Sequence, residues 1–293
     1  MGKRAKARGS AAGSSRTGLL RGALAATPIA AAVALGLYAW KVEPHRIDVV
    51  ERSLPVAGLP ARLAGARLVL LSDIHAGPQV SDAYLLSVFQ RVADLDADVV
   101  VIAGDFTTAH HETLGHARRI YTHLPHGRLA TLGVLGNHDY GDRWDDAVAA
   151  DGVTATLRDL GIGVLRNEVL DVAGLQIIGL DELWAGRFDA AAALAGIDSA
   201  RPMIAVVHNP DAVDLPGWDG FSGWVLAGHT HGGQVKPPLM EPPVLYIKNR
   251  AYAAGEIDLG DGRRLYVSRG VGHTLKVRLG VRPEVTVFTL ARS

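Results

Sequence analysis

The chain has 293 residues, 48% apolar and 20% charged, enough to bury a full core in one large domain or two small ones. It has no cysteine, which excludes disulfides, thiol catalysis and zinc–thiolate sites and leaves only nitrogen and oxygen to hold a metal. Thirty cations balance thirty acids, but Lys3, Arg4, Lys6, Arg8, Arg16 and Arg21 stand in the first 21 residues without an acid; the remainder carries 24 cations against 30 acids, a surface that argues against nucleic-acid partners.

After this basic segment (1–21), "GALAATPIAAAVALGLYAW" runs from Gly22 to Trp40 without a charge. Nineteen such residues approach the length of a bilayer-spanning helix, and Tyr38 and Trp40 stand where an interfacial aromatic belt would lie. The basic flank comes first, so the positive-inside rule puts the N-terminus in the cytoplasm. The expectation is a single-pass signal-anchor in the cell membrane with an extracytoplasmic body. A cleaved signal peptide and a buried soluble helix are the competing readings. Segment 41–66, with Pro44, Pro55 and Pro60, reads as a connector plus one early strand. The main domain is expected over 67–293.

Five short apolar runs follow, each ending in a polar cluster: "RLVLLSDIH" (67–75), "DVVVIAGD" (98–105), "LGVLGNHD" (132–139), "MIAVVHN" (203–209) and "GWVLAGHTH" (223–231). Continuous Val/Ile/Leu runs suit strands buried on both faces. Between the early runs, Ser81–Leu95 reads as a helix with Ser81 as its N-cap, and Asp142–Leu160 as a second helix ending before Gly161. Alternating strands and helices predict an α/β sheet with ligands at the carboxyl ends of strands. Further on, Asp261-Gly262 between two strand-like runs predicts a hairpin, so the sheets should be mixed.

The clusters supply Asp73, His75, Asp105, Asn137, His138, Asp139, His208, His229 and His231. In extended geometry His229 and His231 would project to the same side. These oxygen and imidazole donors suit manganese, iron or zinc, and there are too many for one tetrahedral ion. Two neighbouring divalent ions fit their number. Such a pair clamps a phosphoryl group and lowers the pKa of bound water toward about 7.

The ordered set Asp73-x-His75, Gly104-Asp105, Gly136-Asn137-His138-Asp139, His208 and Gly228-His229-Thr230-His231 resembles the calcineurin-like metallophosphoesterase superfamily. "HNPD" (208–211), "AGHTHGGQ" (227–234) and "RPEVTVFTL" (282–290) resemble its membrane-associated bacterial branch, the YkuE/YaeI-like phosphoesterases. The resemblance implies a four-layer αββα sandwich of two mixed β-sheets with flanking helices, here preceded by the membrane helix. It implies Asp73, His75 and His231 on a first ion, Asp105 bridging both, and Asn137, His208 and His229 completing the second. It implies that His138 stabilises the transition state or protonates the leaving oxygen, with Asp139 orienting the His138 ring. The reaction implied is hydrolysis of a phosphate ester or phosphodiester by a metal-activated hydroxide, on an envelope or lipid-linked substrate. Pyrophosphate cleavage in a UDP-2,3-diacylglucosamine-type lipid is the alternative reaction, and a non-catalytic envelope scaffold is the alternative of another class.

Three further segments raise expectations. His110, after Asp105, is a candidate for phosphate contact. The proline-rich stretch 234–250 carries Leu239, Met240, Leu245 and Tyr246, which read either as a core-covering loop or as a contact for lipid. Arg269, His273, Lys276 and Arg278, beside glycines in 268–280, read either as the lining of an anion site or, more simply, as solvated basic residues.

Overall fold

All five apolar runs become strands, and each strand stops where its polar cluster begins. The computed structural model describes residues 29–108 and 113–293. Arg67–Leu71 (β2), Val99–Ala103 (β3) and Ala130–Val134 (β4) lie side by side and parallel, with Gly163–Val164 (β5) beyond β4. On the other side of β2 runs the antiparallel C-terminal strand Glu284–Arg292 (β12), whose outer neighbour is the parallel strand Asp48–Val56 (β1). Segment 41–66 thus contributes a nine-residue edge strand to this sheet.

The second sheet also has six strands. Met203–Val206 (β8) and Gly223–Ala227 (β9) form its centre between Leu175–Gly179 (β7) and Arg263–Val267 (β11), all parallel. Two antiparallel edges close it: Glu168–Val172 (β6) on β7 and Gly255–Asp258 (β10) on β11. The β10–β11 hairpin turns at Asp261-Gly262 as the sequence predicts. Both sheets are mixed, and apolar residues fill three layers. Leu68, Leu70, Val101, Leu132, Ile177, Val206, Leu226 and Phe288 pack between the sheets. Outside the first sheet lie the helices Asp82–Ala93 (α2), Leu114–Tyr121 (α3) and Ala147–Asp159 (α4). A short helix, Ala190–Leu194 (α5), and single turns cover the second.

The helix boundaries depart from expectation for local reasons. Ser81 precedes α2 but its side chain makes no capping hydrogen bond. The helix expected from Asp142 begins only at Ala147, because Asp146 is its cap, accepting from the Val148 and Ala149 amides at 2.9 and 3.0 Å. Residues 141–146 instead form a tight turn with Gly141 and Trp144 in the left-handed region.

Residues 22–28 of the expected membrane span lie outside the described residues. Residues 29–37 are helical (α1) and every one is exposed. Among the described residues, no helix is long and apolar enough to cross a membrane. The segment that follows α1 is tied to the domain: the Arg278 amide donates to the Ala39 carbonyl at 3.0 Å, and the Val281 amide to Glu43 at 2.9 Å.

Candidate metal centre

The site forms where the carboxyl ends of β2, β3 and β4 in one sheet meet those of β8 and β9 in the other. Asp73 and His75 follow β2, Asp105 follows β3, Asn137 and His138 follow β4, His208 follows β8, and His229 and His231 follow β9. The seven expected donors are drawn into one chain of contacts. Asp73 Oδ1 faces His231 Nε2 at 3.4 Å, His231 Nε2 faces His75 Nε2 at 3.1 Å, and His75 Nε2 faces Asp105 Oδ2 at 3.4 Å. The same Asp105 oxygen lies 3.3 Å from His208 Nε2. Asn137 Oδ1 is 3.2 Å from His208 Nε2 and 3.0 Å from His229 Nδ1. Asp105 Oδ2 is therefore the atom common to two clusters.

Five of these seven residues have positive φ: Asp73 at 52°, His75 at 50°, Asp105 at 54°, His229 at 72° and His231 at 49°. Left-handed backbone at a non-glycine residue costs on the order of 1–3 kcal/mol, and persists where surrounding structure imposes it. It also overturns the extended reading of the histidine pair. The His229–His231 backbone is coiled, so His231 turns to Asp73 and His75 while His229 turns to Asn137 and His208.

Backbone carbonyls fix two ring tautomers. His208 Nδ1–H donates to the Ala103 carbonyl at 2.8 Å, and His229 Nε2–H to the Tyr246 carbonyl at 3.0 Å. Each ring then turns its other nitrogen to the cluster: His229 offers a lone pair there, and His208 does so once that nitrogen has lost its proton. Burial pushes His75 and His229 down to about 3, and pushes His231 well below the usual imidazole range, with His75 and Arg278 adding to the effect. The carboxylates diverge. Burial pushes Asp73 up to about 7. Burial would also raise Asp105, but His208, His138 and His75 hold it well below the usual range. Burial would lower His208, but Asp105, Glu182 and Asp73 hold it well above its ordinary value. Protons on Asp73 and His208 thus supply positive charge that buried carboxylates demand.

Divalent cations fit this donor set. Asp73, His75, Asp105 and His231 offer four buried ligand atoms within 4.8 Å of one another. Donor–donor edges of 3.0–3.4 Å are what atoms about 2.1 Å from a shared ion would show. Because coordination requires deprotonated ligands, loading the metal-free protein with Mn²⁺ or Zn²⁺ near pH 6.5 should release one to two protons. Affinity should rise with pH through about 7, the Asp73 value, and fall away below it. Calorimetry in buffers of differing ionisation enthalpy measures this; uptake with no proton release would contradict it.

The calcineurin-like phosphoesterase family pattern matches residues 66–233, a span holding all seven donors. The chain is 32% identical over 280 residues to the metallophosphoesterase YkuE of Bacillus subtilis, covering 92% of this chain and 94% of that one. It is 29% identical over 261 residues to the phosphodiesterase YaeI of Escherichia coli, covering 85% and 90%. It is 25% identical over 317 residues to the UDP-2,3-diacylglucosamine pyrophosphatase LpxG of Chlamydia trachomatis, covering 89% and 94%. The chain belongs to the calcineurin-like phosphoesterase family. It is a metal-dependent phosphoester hydrolase.

Other features of this phosphoesterase depart from the sequence reading. The Asp139 carboxylate is not turned to the His138 ring. It accepts from the Phe106 amide (3.2 Å), the Thr107 amide (2.9 Å) and hydroxyl (3.1 Å), and the Gly136 amide (2.9 Å), pinning the loop that carries Asp105. His138 donates its backbone N–H to Asp105 Oδ1 at 3.0 Å, and its half-buried ring stands edge-on to His75, 4.9 Å between centroids. His110 lies outside the described residues. Arg278 and His273 are buried, not solvated. The Arg278 guanidinium donates to the carbonyls of Arg269 (2.9 Å), Gly270 (3.2 Å) and Gly272 (2.7 Å), holding that loop against Asp73, whose carbonyl accepts the Gly272 amide at 2.7 Å. Burial pushes Arg278 down to about 10.

The sequence reading also missed a sixth strand end. "LQIIGLDE" (175–182) has the same form as the five runs, and after β7 it delivers Asp181, Glu182 and Trp184 beside the site. Tyr140 donates to Asp181 at 2.5 Å, and Arg166 bonds both at 2.9 and 3.1 Å, clamping the two sheets' loops together.

Close loop approach explains Gly136. Its φ of −103° suits any residue, but a Cβ there would lie 2.2 Å from Asp105 Oδ1. Gly136→Ala should therefore displace Asp105 and weaken metal binding about tenfold or more, at a stability cost of roughly 1–3 kcal/mol. Metal titration with thermal melts checks both; unchanged affinity would refute the packing argument.

Proposed function

We propose that this protein is a membrane-anchored phosphoesterase with a dinuclear centre, acting on a phosphate ester or phosphodiester of the envelope, lipid-linked in nature. The observation that carries this reading is the shared Asp105 Oδ2, with Asp73, His75 and His231 gathered on one side and Asn137, His208 and His229 on the other. In this reading those residues hold two divalent ions, Mn, Fe or Zn. Bound there, such a pair supplies Lewis acidity to phosphoryl oxygens and lowers the pKa of water toward about 7. The chain's own contribution is to fix the donors, keep His75, His229 and His231 neutral by burial, and place His138 at the exposed side of the cluster.

Membrane attachment is supported by apolar surface that stays exposed among the described residues. Helix α1 exposes Ile29, Val33, Leu35 and Leu37, and Lys41 Nζ sits 3.6 Å over the Trp40 ring. A helix apolar on every side is at home only in a protein core or a bilayer. The stretch 236–246 exposes Leu239, Met240, Val244 and Tyr246, and lines one cavity with Leu35 of α1. Its Tyr246 carbonyl also holds His229, so the apolar loop leads from α1 to the donor cluster. That continuity favours a lipid-linked substrate, and LpxG similarity makes a UDP-2,3-diacylglucosamine-type pyrophosphate the second reading. In the first reading the body lies on the extracytoplasmic side with the basic N-terminus in the cytoplasm; the pyrophosphate reading instead calls for a site on the cytoplasmic side.

The test is turnover by the full chain in detergent, loaded with Mn, Fe or Zn, on aryl phosphate mono- and diesters and on lipid pyrophosphates. Metal-dependent hydrolysis lost to chelator is expected. No hydrolysis with any metal would end the reading. Because the chain lacks cysteine, Leu239→Cys offers a unique label site. A polarity-sensitive dye there should blue-shift in vesicles, and one at Val148→Cys on α4 should not; equal spectra would remove the lipid contact.

A further inference from the structure

Two tryptophans stand at the rim of the donor cluster, one from each sheet's loops. Trp144 lies in the turn after β4, and its ring is 6.0 Å from that of His138. Trp184 follows β7 and meets His229 edge-on, 4.4 Å between centroids. The two indoles are 4.9 Å apart with planes tilted by 31°, and both are half-buried. Their placement is imposed. Trp144 has φ 61°, an outlier for a bulky side chain. The Trp184 amide donates to the buried Glu182 carboxylate at 2.9 Å. The Tyr140–Asp181–Arg166 clamp then locks the two loops against each other, with Tyr140 and Asp181 both buried.

Trp184 is also one wall of a cavity of about 360 Å³, lined with Leu183, Leu215, Asp211, Asp214 and the exposed Lys248. Leu183, Leu215 and the indole are apolar, and a cation lies at its edge. Backbone strain at a bulky aromatic, next to the reaction centre and beside a partly apolar cavity, is the arrangement of a binding element.

We infer that Trp144 and Trp184 form a subsite for a planar aromatic group carried by the phosphoester, either the base of a nucleotide or an aryl leaving group. Indole faces stack planar rings without sequence or substituent demands, and each base–aromatic stack is worth a five- to hundredfold change in affinity, roughly. An aliphatic leaving group gains little from the same surface. The subsite therefore sets selectivity for aromatic over aliphatic phosphoesters. The inference rests on the metal cluster being the reaction site.

The deciding experiment has two arms on the metal-loaded full chain. In the first, uridine 5′-monophosphate and glycerol phosphate are titrated against intrinsic indole fluorescence. Quenching by the uridine nucleotide alone is expected, and it should vanish in Trp184→Ala and weaken in Trp144→Ala. In the second, kcat/KM is measured for aryl and alkyl phosphodiesters. Trp184→Ala should lower the aryl-to-alkyl ratio about tenfold, mostly through KM, and Trp184→Phe should restore most of it. An unchanged ratio, or equal quenching by both ligands, overturns the subsite. If no ester is hydrolysed the catalytic reading has failed, and the titration still decides whether the rings bind a planar group.

Discussion

Asp105→Asn is expected to lower phosphodiester turnover by about a thousandfold or more and to cost the protein at least one bound divalent ion. A thousandfold loss corresponds to about 4 kcal/mol of transition-state stabilisation, the several kcal/mol that a correctly placed metal provides. The substitution is nearly isosteric, and an amide oxygen can still accept the His138 N–H that now reaches Asp105 Oδ1. What disappears is the charge on Oδ2, the one atom shared by His75 on one side and His208 on the other. Without it neither half of the cluster is closed. Stability should suffer less than activity. Breaking a buried ion pair typically costs about 3–5 kcal/mol because a charge is stranded. Here His208 is held protonated chiefly by Asp105 against burial, so it would simply lose its proton. Metal analysis, steady-state kinetics and melting of the metal-free variant measure the three effects. A variant with full metal content and more than about a tenth of the activity would show that Asp105 does not join two ions.

The strand-end pattern was legible because it is a matter of chain order: an apolar run, then ligand-capable residues, five times. Buried parallel strands leave such runs, and the donors at their ends are the residues the structure brings together. The way the donors are aimed was not legible. Asp73, His75, Asp105, His229 and His231 adopt left-handed backbone, which only their neighbours impose, so side-chain direction could not be taken from strand geometry. Asp139 illustrates the same limit: adjacency to His138 suggested a hydrogen bond to its ring, but the carboxylate is engaged by amides 32 and 33 residues earlier in the chain. Arg278 looked solvated because its partners are carbonyls, which every residue has and no motif displays. Glu182 and Trp184 could have been found, since "LQIIGLDE" repeats the form of the other runs, an apolar stretch that ends in ligand-capable side chains.

His138→Ala should reduce turnover by about 10²–10⁴-fold while leaving metal content intact, and the size of the loss should depend on the leaving group. The ring is half-buried at the edge of the cluster, and only its backbone N–H is engaged with Asp105. No ring nitrogen of His138 is required by the donor chain, so its removal leaves the ligands in place. If the ring protonates the departing oxygen, an alkoxide, which is strongly basic, needs that proton, whereas nitrophenolate leaves without help. The alkyl ester should then lose about a hundredfold or more and the nitrophenyl ester less than about tenfold. If the ring instead acts as a fixed cation toward the phosphoryl oxygens, both esters lose equally. Asp139→Ala provides the contrast. It frees the 105–107 loop and should weaken metal binding about 10–100-fold with no dependence on the leaving group. A leaving-group-dependent loss in Asp139→Ala would mean that its carboxylate reaches the His138 ring during turnover after all.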